Sequence, residues 1–451
     1  MDGGGRVEMG LITKHNPMPS VHDAMIGVVG GGLAGLTAAH ELKSSGHSVG
    51  VFESSPRVGG ALSRINLGAT APCRPHTIAP DDDAARSLAR SLGVEAALPH
   101  GRVRTGYYVD GVAHPTDRLR ELLAFPSLSL RNRSYLRSLS GGGRGPFTVP
   151  REAVADPTTL TDVTARSFVI DHATESLYDH AIGPLLRARF DGAADRISAA
   201  WLLAELSRRR SLGDGTAVSA VPLVDALAES IGRENLRTDA RVLPFGTRAG
   251  AVDHIAAVEN GTRSEHDVDA VVVATPPWAL DRLTRYDWTG ERIPRTTVCF
   301  ALDESLLAID RLTVVDDAPF GRLAAVPAAG GAADVEQFLY AIAPFERPAR
   351  EDTAAAFRRG IESLFPDFDP DSVLWSAVDN RAEPLPTAGY ADHVVSHELP
   401  SVVAEGCFYA GSASPERYPH QSLDGVVRAG KKAARAASER LERAVQSSDP
   451  A

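Results

Sequence analysis

The sequence predicts an α/β protein whose parallel sheet is assembled from segments far apart in the chain and is joined to a second, α+β domain. Three observations lead there. An apolar run enters a glycine-rich turn and leaves it as a small-residue helix within residues 25–46. A second glycine-punctuated strand-to-helix passage closes the chain over 406–430. Between them, helical and strand-like patterns fill blocks too long for loops, and 451 residues exceed what one simple core organises.

The first passage reads Ile26-Gly-Val-Val-Gly-Gly-Gly-Leu-Ala-Gly-Leu-Thr-Ala-Ala-His40. Met25 to Val29 is short, β-branched and apolar, which predicts a buried strand. Gly30, Gly32 and Gly35 stand at G-x-G-x-x-G spacing: one for a sharp turn, one for close approach of backbone to a pyrophosphate, one for helix packing on strand. Leu33 and Ala34 open a helix, expected from about Ala34 to Ser45, whose free N–H groups and positive dipole end suit a phosphate. Gly46 is expected to stop it as a left-handed cap. A second strand, His47 to Phe52, ends on Glu53, an acid placed about 20 residues beyond the glycines to accept from ribose hydroxyls. These pieces make a Rossmann-type half-unit for an adenine dinucleotide.

The next residues narrow the dinucleotide. Ser54-Ser-Pro-Arg57-Val-Gly59-Gly60 places a second turn and a cation just past the acid, with Ala61 following. With Glu53 it matches V-x-E-x-x-x-R-x-G-G and resembles the flavin amine oxidase superfamily, which includes protoporphyrinogen oxidases, phytoene desaturases and monoamine oxidases. Near the C-terminus, Gly406-Cys-Phe-Tyr-Ala-Gly411-Ser412 and Gln421-Ser-Leu423-Asp-Gly425-Val426 resemble the family's closing flavin motif, with a helix N-terminus near Leu423 to Val426. Arg237 to Val242 resembles the segment whose backbone pairs with adenine, and Ala270-Val-Val-Val-Ala274 the strand that returns to the cofactor domain. Tyr107 to Pro115 and Pro184 to Phe190 resemble pieces of protoporphyrinogen-oxidase-like chains.

The resemblance covers most of residues 24–440 and implies FAD in a Rossmann-type (GR2-like) domain that is discontinuous. We expect that domain over 24–80, 215–285 and 385–440, and a substrate-binding domain over 81–214 and 286–384. Residues 1–23 form a tail and 441–451 a frayed end. Two departures from the family pattern bear on cofactor binding: Ala61 stands where an arginine is usual, with Arg64 a turn later, and Ser412 stands where Asp or Glu is usual.

Composition bounds the partners. A net charge of −11 without a long basic stripe argues against nucleic acid, and Arg208-Arg-Arg210 reads as a solvated helix end. No apolar window of about 18 residues suggests a membrane span, and the polar start lacks a signal-peptide core. Asp117 to Leu139, with its spaced leucines, reads as core or as a lid, and peripheral membrane contact is not expected. Cys73, Cys299 and Cys407 are few, odd and scattered, which suits a reducing, cytoplasmic setting. Cys407 is expected to be a buried thiol. The histidines show no metal spacing, so no metal is expected.

The implied chemistry is hydride transfer from a small organic substrate to FAD, a C–C or C–N dehydrogenation of the kind a biosynthetic tailoring step uses, with molecular oxygen as one candidate acceptor. Monoamine oxidases place a lysine near the flavin, whereas lysine here occurs only at Lys14, Lys43, Lys431 and Lys432. That favours the protoporphyrinogen oxidase and desaturase branches. His420 is the candidate catalytic residue, and His76 and Arg381 are candidates for the substrate chamber, Arg381 for an anionic substrate. A non-redox flavoenzyme, mutase- or cyclase-like, and a degenerate flavin-fold binding protein stay open as alternatives.

Overall fold

The computed structural model describes residues 25–67, 69–94, 100–118, 121, 124–126, 128–139, 156–215, 217–248, 250–328, 334–345, 351–400 and 405–448. Its organising element is a five-stranded sheet in the order Leu236–Arg237, Ser48–Phe52, Met25–Val29, Ala270–Val273, Cys407–Tyr409, with every neighbour parallel. Segments hundreds of residues apart thus meet in one sheet. Ile26, Val28, Val51 and all four residues of Ala270–Val273 are buried because both faces of the sheet are covered. Helices Leu33–Ser44, Val221–Ile231 and Leu423–Ser448 cover one face through Leu36, Leu42, Leu227 and Val427. The antiparallel strands Ala251–Glu259 and Thr262–Asp267 back the other, with Val252 and Ile255 against Val271 and Tyr409.

The first helix runs Leu33–Ser44, and Gly46 follows at φ +89° with its N–H on Lys43 O at 3.0 Å. The second strand starts at Ser48 rather than His47, because the His47 N–H still bonds back to Leu42 O at 3.1 Å.

The second domain is built on a seven-stranded sheet: Val373–Pro384, Arg292–Leu302, Gln337–Ala343, Arg322–Pro327, Arg311–Val314, Thr105–Val109, Val112–Pro115. All pairs are antiparallel except Arg311–Val314 with Thr105–Val109. Period-2 alternation gives it two unlike faces. Val298, Phe300, Leu302, Leu339 and Ala341 pack on helix Glu351–Leu364 through Phe357 and Ile361. Arg295, Thr297, Arg322 and Ala324 point the other way, into a cavity. Helices Ala165–His172, Gly183–Phe190 and Ala199–Asp214 form an adjoining core around Phe168, Leu185, Trp201 and Leu202.

Phe125, Leu128, Tyr135 and Leu139 join that helical core, so these residues of the Asp117–Leu139 segment are packing residues, while Leu130 is exposed. Leu119, Leu122 and Leu123 lie outside the described residues, as do the glycine-rich stretches 140–145 and 329–333. Among the described residues no helix is long and apolar enough to cross a membrane, and no group of His, Cys, Asp and Glu could hold a metal ion.

Candidate active site

A cavity of about 550 Å³ lies between the glycine-bearing strand ends of the parallel sheet and the arginine-bearing face of the second sheet. Gly30 and Gly32 form its edge. Gly30 adopts φ +106°, and a Cβ there would stand 2.8 Å from Ala274 O. A Cβ on Gly35 would stand 1.9 Å from Gly30 O, so only glycine lets the helix sit this close to the strand end. The helix begins at Leu33 with no side-chain cap and no acid in its first turn, leaving a bare positive end. Gly59 N–H donates to Gly31 O at 2.7 Å and brings Gly60 and Ala61 to the same wall.

Glu53 ties the two turns together. Its Oε2 accepts from Gly31 N at 2.7 Å and its Oε1 from Ser55 N at 2.8 Å. Oε1 also accepts from Ser54 Oγ at 3.4 Å, while Oε2 keeps a lone pair at the cavity edge, where a sugar hydroxyl could donate. Ser54, Val242 and Ala274 also line the cavity. Leu33, Ala34 and Gly35 are buried, and they, Gly59, Gly411 and Val426 are not among the lining residues. Arg57 is exposed and also outside the lining. Arg64 pairs with Asp225 on helix Val221–Ile231, so it does not take the place Ala61 leaves.

At the other end, Ser412, Gln421 and Leu423 line the cavity. Gln421 Nε2 donates to Ser412 O at 2.9 Å, while Gln421 Oε1 and Ser412 Oγ are buried without a hydrogen-bond partner. Buried polar atoms of this kind need a partner, and a polyhydroxylated cofactor tail would supply one. The bare helix end, the two glycine turns and these orphaned atoms fit a flavin dinucleotide. Cys407 lies fully buried in its strand, its thiol pushed well up by burial, and does not reach the cavity.

Charged side chains crowd the second-domain wall. His420 Nε2 meets Glu205 Oε2 at 2.8 Å, and Arg209 Nε meets Glu205 Oε1 at 2.9 Å. Burial pushes Glu205 up, but the His420 hydrogen bond and Arg209 and Arg189 outweigh it and hold the carboxylate well below its usual range. The His420 ring stacks on Trp201 at 5.9 Å, and its pKa is lowered by burial, which the bond to Glu205 only partly offsets. Glu383 receives both Arg74 at 2.8 Å and Arg295 at 2.6 Å. Arg381 lines the wall but its Nε is held by Asp379 two residues away. His76 lines the cavity with a buried, unpartnered Nε2, and burial, then Arg74, lower its pKa to about 3. Arg208 and Arg209 correct the solvated-end expectation: Arg208 is clamped by Asp82 at 2.9 Å, Arg209 by Glu205, and both line the cavity. No described lysine does; Lys43 caps Ile231 O, Lys431 meets Glu41 and Lys432 meets Glu416.

Fold and site define a two-domain flavoprotein of the dinucleotide-binding type. The profile of the family described as flavin containing amine oxidoreductase matches residues 33–295, and the chain belongs to that family. Its cofactor is FAD. A putative flavin-containing monoamine oxidase, AofH, of Mycobacterium tuberculosis (strain CDC 1551 / Oshkosh) is 45% identical over 74 residues, which is 16% of this chain and 16% of that protein. The fold is shared with cyclohexylamine oxidase from Brevibacterium oxydans IH-35A at TM-score 0.64 and 17% identity, over 93% of this chain and 100% of that one. It is shared with putrescine oxidase bound to putrescine at TM-score 0.61 and 16% identity over 92% and 98%. A fatty acid isomerase from P. acnes, described as producing CLA, superposes at TM-score 0.63 and 16% identity over 92% and 99%.

Proposed function

We propose that this chain is an FAD-dependent oxidase or dehydrogenase that removes hydrogen from a small organic substrate at a C–C or C–N bond. The observation that carries the reading is His420, a buried imidazole lining the same cavity as the cofactor-binding edge. FAD, when bound, supplies a two-electron acceptor for a hydride. The accompanying proton needs a base. Neutral His420 is suited to it: Glu205 accepts from Nε2–H, which fixes the tautomer and leaves Nδ1 as the acceptor. Arg209 holds Glu205 in turn, and Trp201 orients the ring.

The lysine that monoamine oxidases carry near the flavin has no counterpart among the described cavity residues, which supports the protoporphyrinogen oxidase and desaturase side of the superfamily over simple amine oxidation. Molecular oxygen is the proposed electron acceptor, and the cytoplasm, with all three cysteines free, the proposed compartment. The cofactor-binding roles of Gly30, Gly32, Glu53, Gly60, Ser412 and Leu423 are part of the same proposal. Anaerobic mixing of the yellow holoenzyme with acidic and amine donors tests it: bleaching of the flavin band by a donor, with acceptor consumed one for one in air, is expected. Product formed with no acceptor consumed would replace it with the isomerase- or mutase-like reading.

A further inference from the structure

The second-domain wall holds more positive charge than its carboxylates can neutralise. Glu383 is taken by Arg74 and Arg295, Glu205 by Arg209 and His420, and Asp82 by Arg208. Beside Arg381, which Asp379 holds, three further arginines on the second-domain side reach the cavity: Arg189, Arg311 and Arg322. Among the described residues no carboxylate lies within ion-pair distance of any of them. Arg311 has one hydrogen bond, to Thr77 Oγ1 at 2.7 Å. Arg189 Nε and Arg322 Nε are buried with no partner, and the Arg189 guanidinium lies over the Trp201 ring at 5.1 Å.

Strand register places these groups together. Arg322 pairs across the ladder with Thr313 and Ala324 with Arg311, so Arg311 and Arg322 are diagonal neighbours on one face. Arg295 Nη1 donates to Arg189 O at 2.8 Å, which brings Arg189 beside the same face. Burial, then repulsion from Arg208, Arg209 and Arg189, depresses Arg311 to about 10 against the pull of Glu205, and burial, then Arg189 and Arg295, lowers Arg322 well below its usual value against Glu383 and Glu205. Uncompensated buried charge is costly, and a site that keeps it is built for a counter-charge. An ammonium would enter a field of its own sign, and among the described residues of this wall no unengaged carboxylate faces the cavity to receive it; Glu53 lies at the opposite, glycine-bearing edge.

We propose that the substrate is an organic acid with at least two negative charges, its oxyanions received by Arg189, Arg311 and Arg322. This rests on the oxidoreductase reading but concerns binding alone, so it is tested on the oxidised FAD holoenzyme without turnover. Adipate, phenyl phosphate, adipamide and hexylamine are titrated while the flavin absorption band and, separately, the melting temperature are followed. Adipate or phenyl phosphate is expected to bind saturably and raise the melting temperature, with adipamide and hexylamine silent. The tighter of the two anions identifies the oxyanion. Arg322→Gln and Arg311→Gln should each weaken that anion at least tenfold, while Arg322→Lys, which keeps the charge, retains most of the affinity and serves as the folding control. Hexylamine binding in place of the anions, or anion affinity equal in all variants, overturns the proposal. Anion binding with no donor able to bleach the flavin would leave it standing and remove the oxidase reading instead.

Discussion

His420 Nε2 stands 2.8 Å from Glu205 Oε2, joining the C-terminal cofactor motif to the helix Ala199–Asp214 of the second domain. Neither residue reaches the other by sequence, since 215 positions separate them. The same carboxylate holds Arg209, so one buried acid fixes both an imidazole and a guanidinium.

That geometry makes His420→Asn informative. The flavin should be retained, while anaerobic flavin reduction by substrate slows by about 10²- to 10⁴-fold, the usual weight of a general base. Because the His420 pKa is lowered, the wild-type reduction rate should hold at neutral pH and fall on an acid limb below 6.5. Glu205 raises that pKa, so Glu205→Gln should move the limb to still lower pH. Stopped-flow reduction across pH reads both. An acid limb identical in the two proteins would remove Glu205 from this role.

Glu53→Ala should loosen the cofactor. The substitution strips the acceptor from Gly31 N and Ser55 N at once, and a hydrogen bond to a charged group contributes about 1.5–3 kcal/mol. FAD affinity is expected to drop roughly 10- to 100-fold on that scale, measured by fluorescence recovery of released flavin. Unchanged affinity would show that neither the carboxylate nor the turns it ties hold the cofactor.

Legibility in the sequence followed the range of the interactions. The Gly30–Gly35 turn, the flanking strands and Glu53 are local and periodic, so spacing alone placed them within a residue or two. The strand Gln337–Ala343 is likewise a local pattern, six apolar residues in a row after Gln337. Glu205 and Glu383 were not legible, because their meaning lies in partners that only tertiary folding delivers. One signal existed: Arg295 is the sole charge in the run Ile293 to Leu302, and a charge inside a buried strand announces a partner or a ligand. Arg208 and Arg209 misled for the same reason, since a basic run at a helix end looks solvated until Asp82 and Glu205 arrive from elsewhere.

Gly430 reports on how the last helix docks. A Cβ there would lie 2.5 Å from Ala34 O on the first helix, and backbone cannot yield as a flexible side chain can. Gly430→Val should therefore destabilise by about 1–3 kcal/mol, as overpacking does, and lower FAD occupancy with it if, as proposed, the helix that Leu33 opens turns its bare end to the cofactor. Urea denaturation of purified variant and wild type, with flavin content measured on each, checks both effects. Wild-type stability would mean that the two helices are farther apart than described.

Acid sensitivity should be set in part by His76. Folded, its pKa is about 3, through burial and then Arg74, with Arg311 and Arg208 acting in the same direction and Glu383 opposing. Unfolded, it returns to about 6.5. Below pH 6.5 the unfolded chain binds a proton that the native chain refuses, so the stabilisation is complete above 6.5 and is lost as pH falls toward 3. At about 1.36 kcal/mol per pH unit at the steepest, lowering pH from 7.5 to 5.0 should remove about 2 kcal/mol through this group. His40 and His420, also lowered, act in the same sense, whereas Glu416, held near 2 against burial by His397 and Lys432, adds its loss only below about 4.5. His76→Gln keeps a neutral polar side chain at every pH. Its unfolding free energy in urea should fall less than wild type over pH 7.5 to 5.0, the gap between the two curves closing by about 2 kcal/mol. Parallel curves would show that His76 takes up its proton as readily in the folded protein as in the unfolded one.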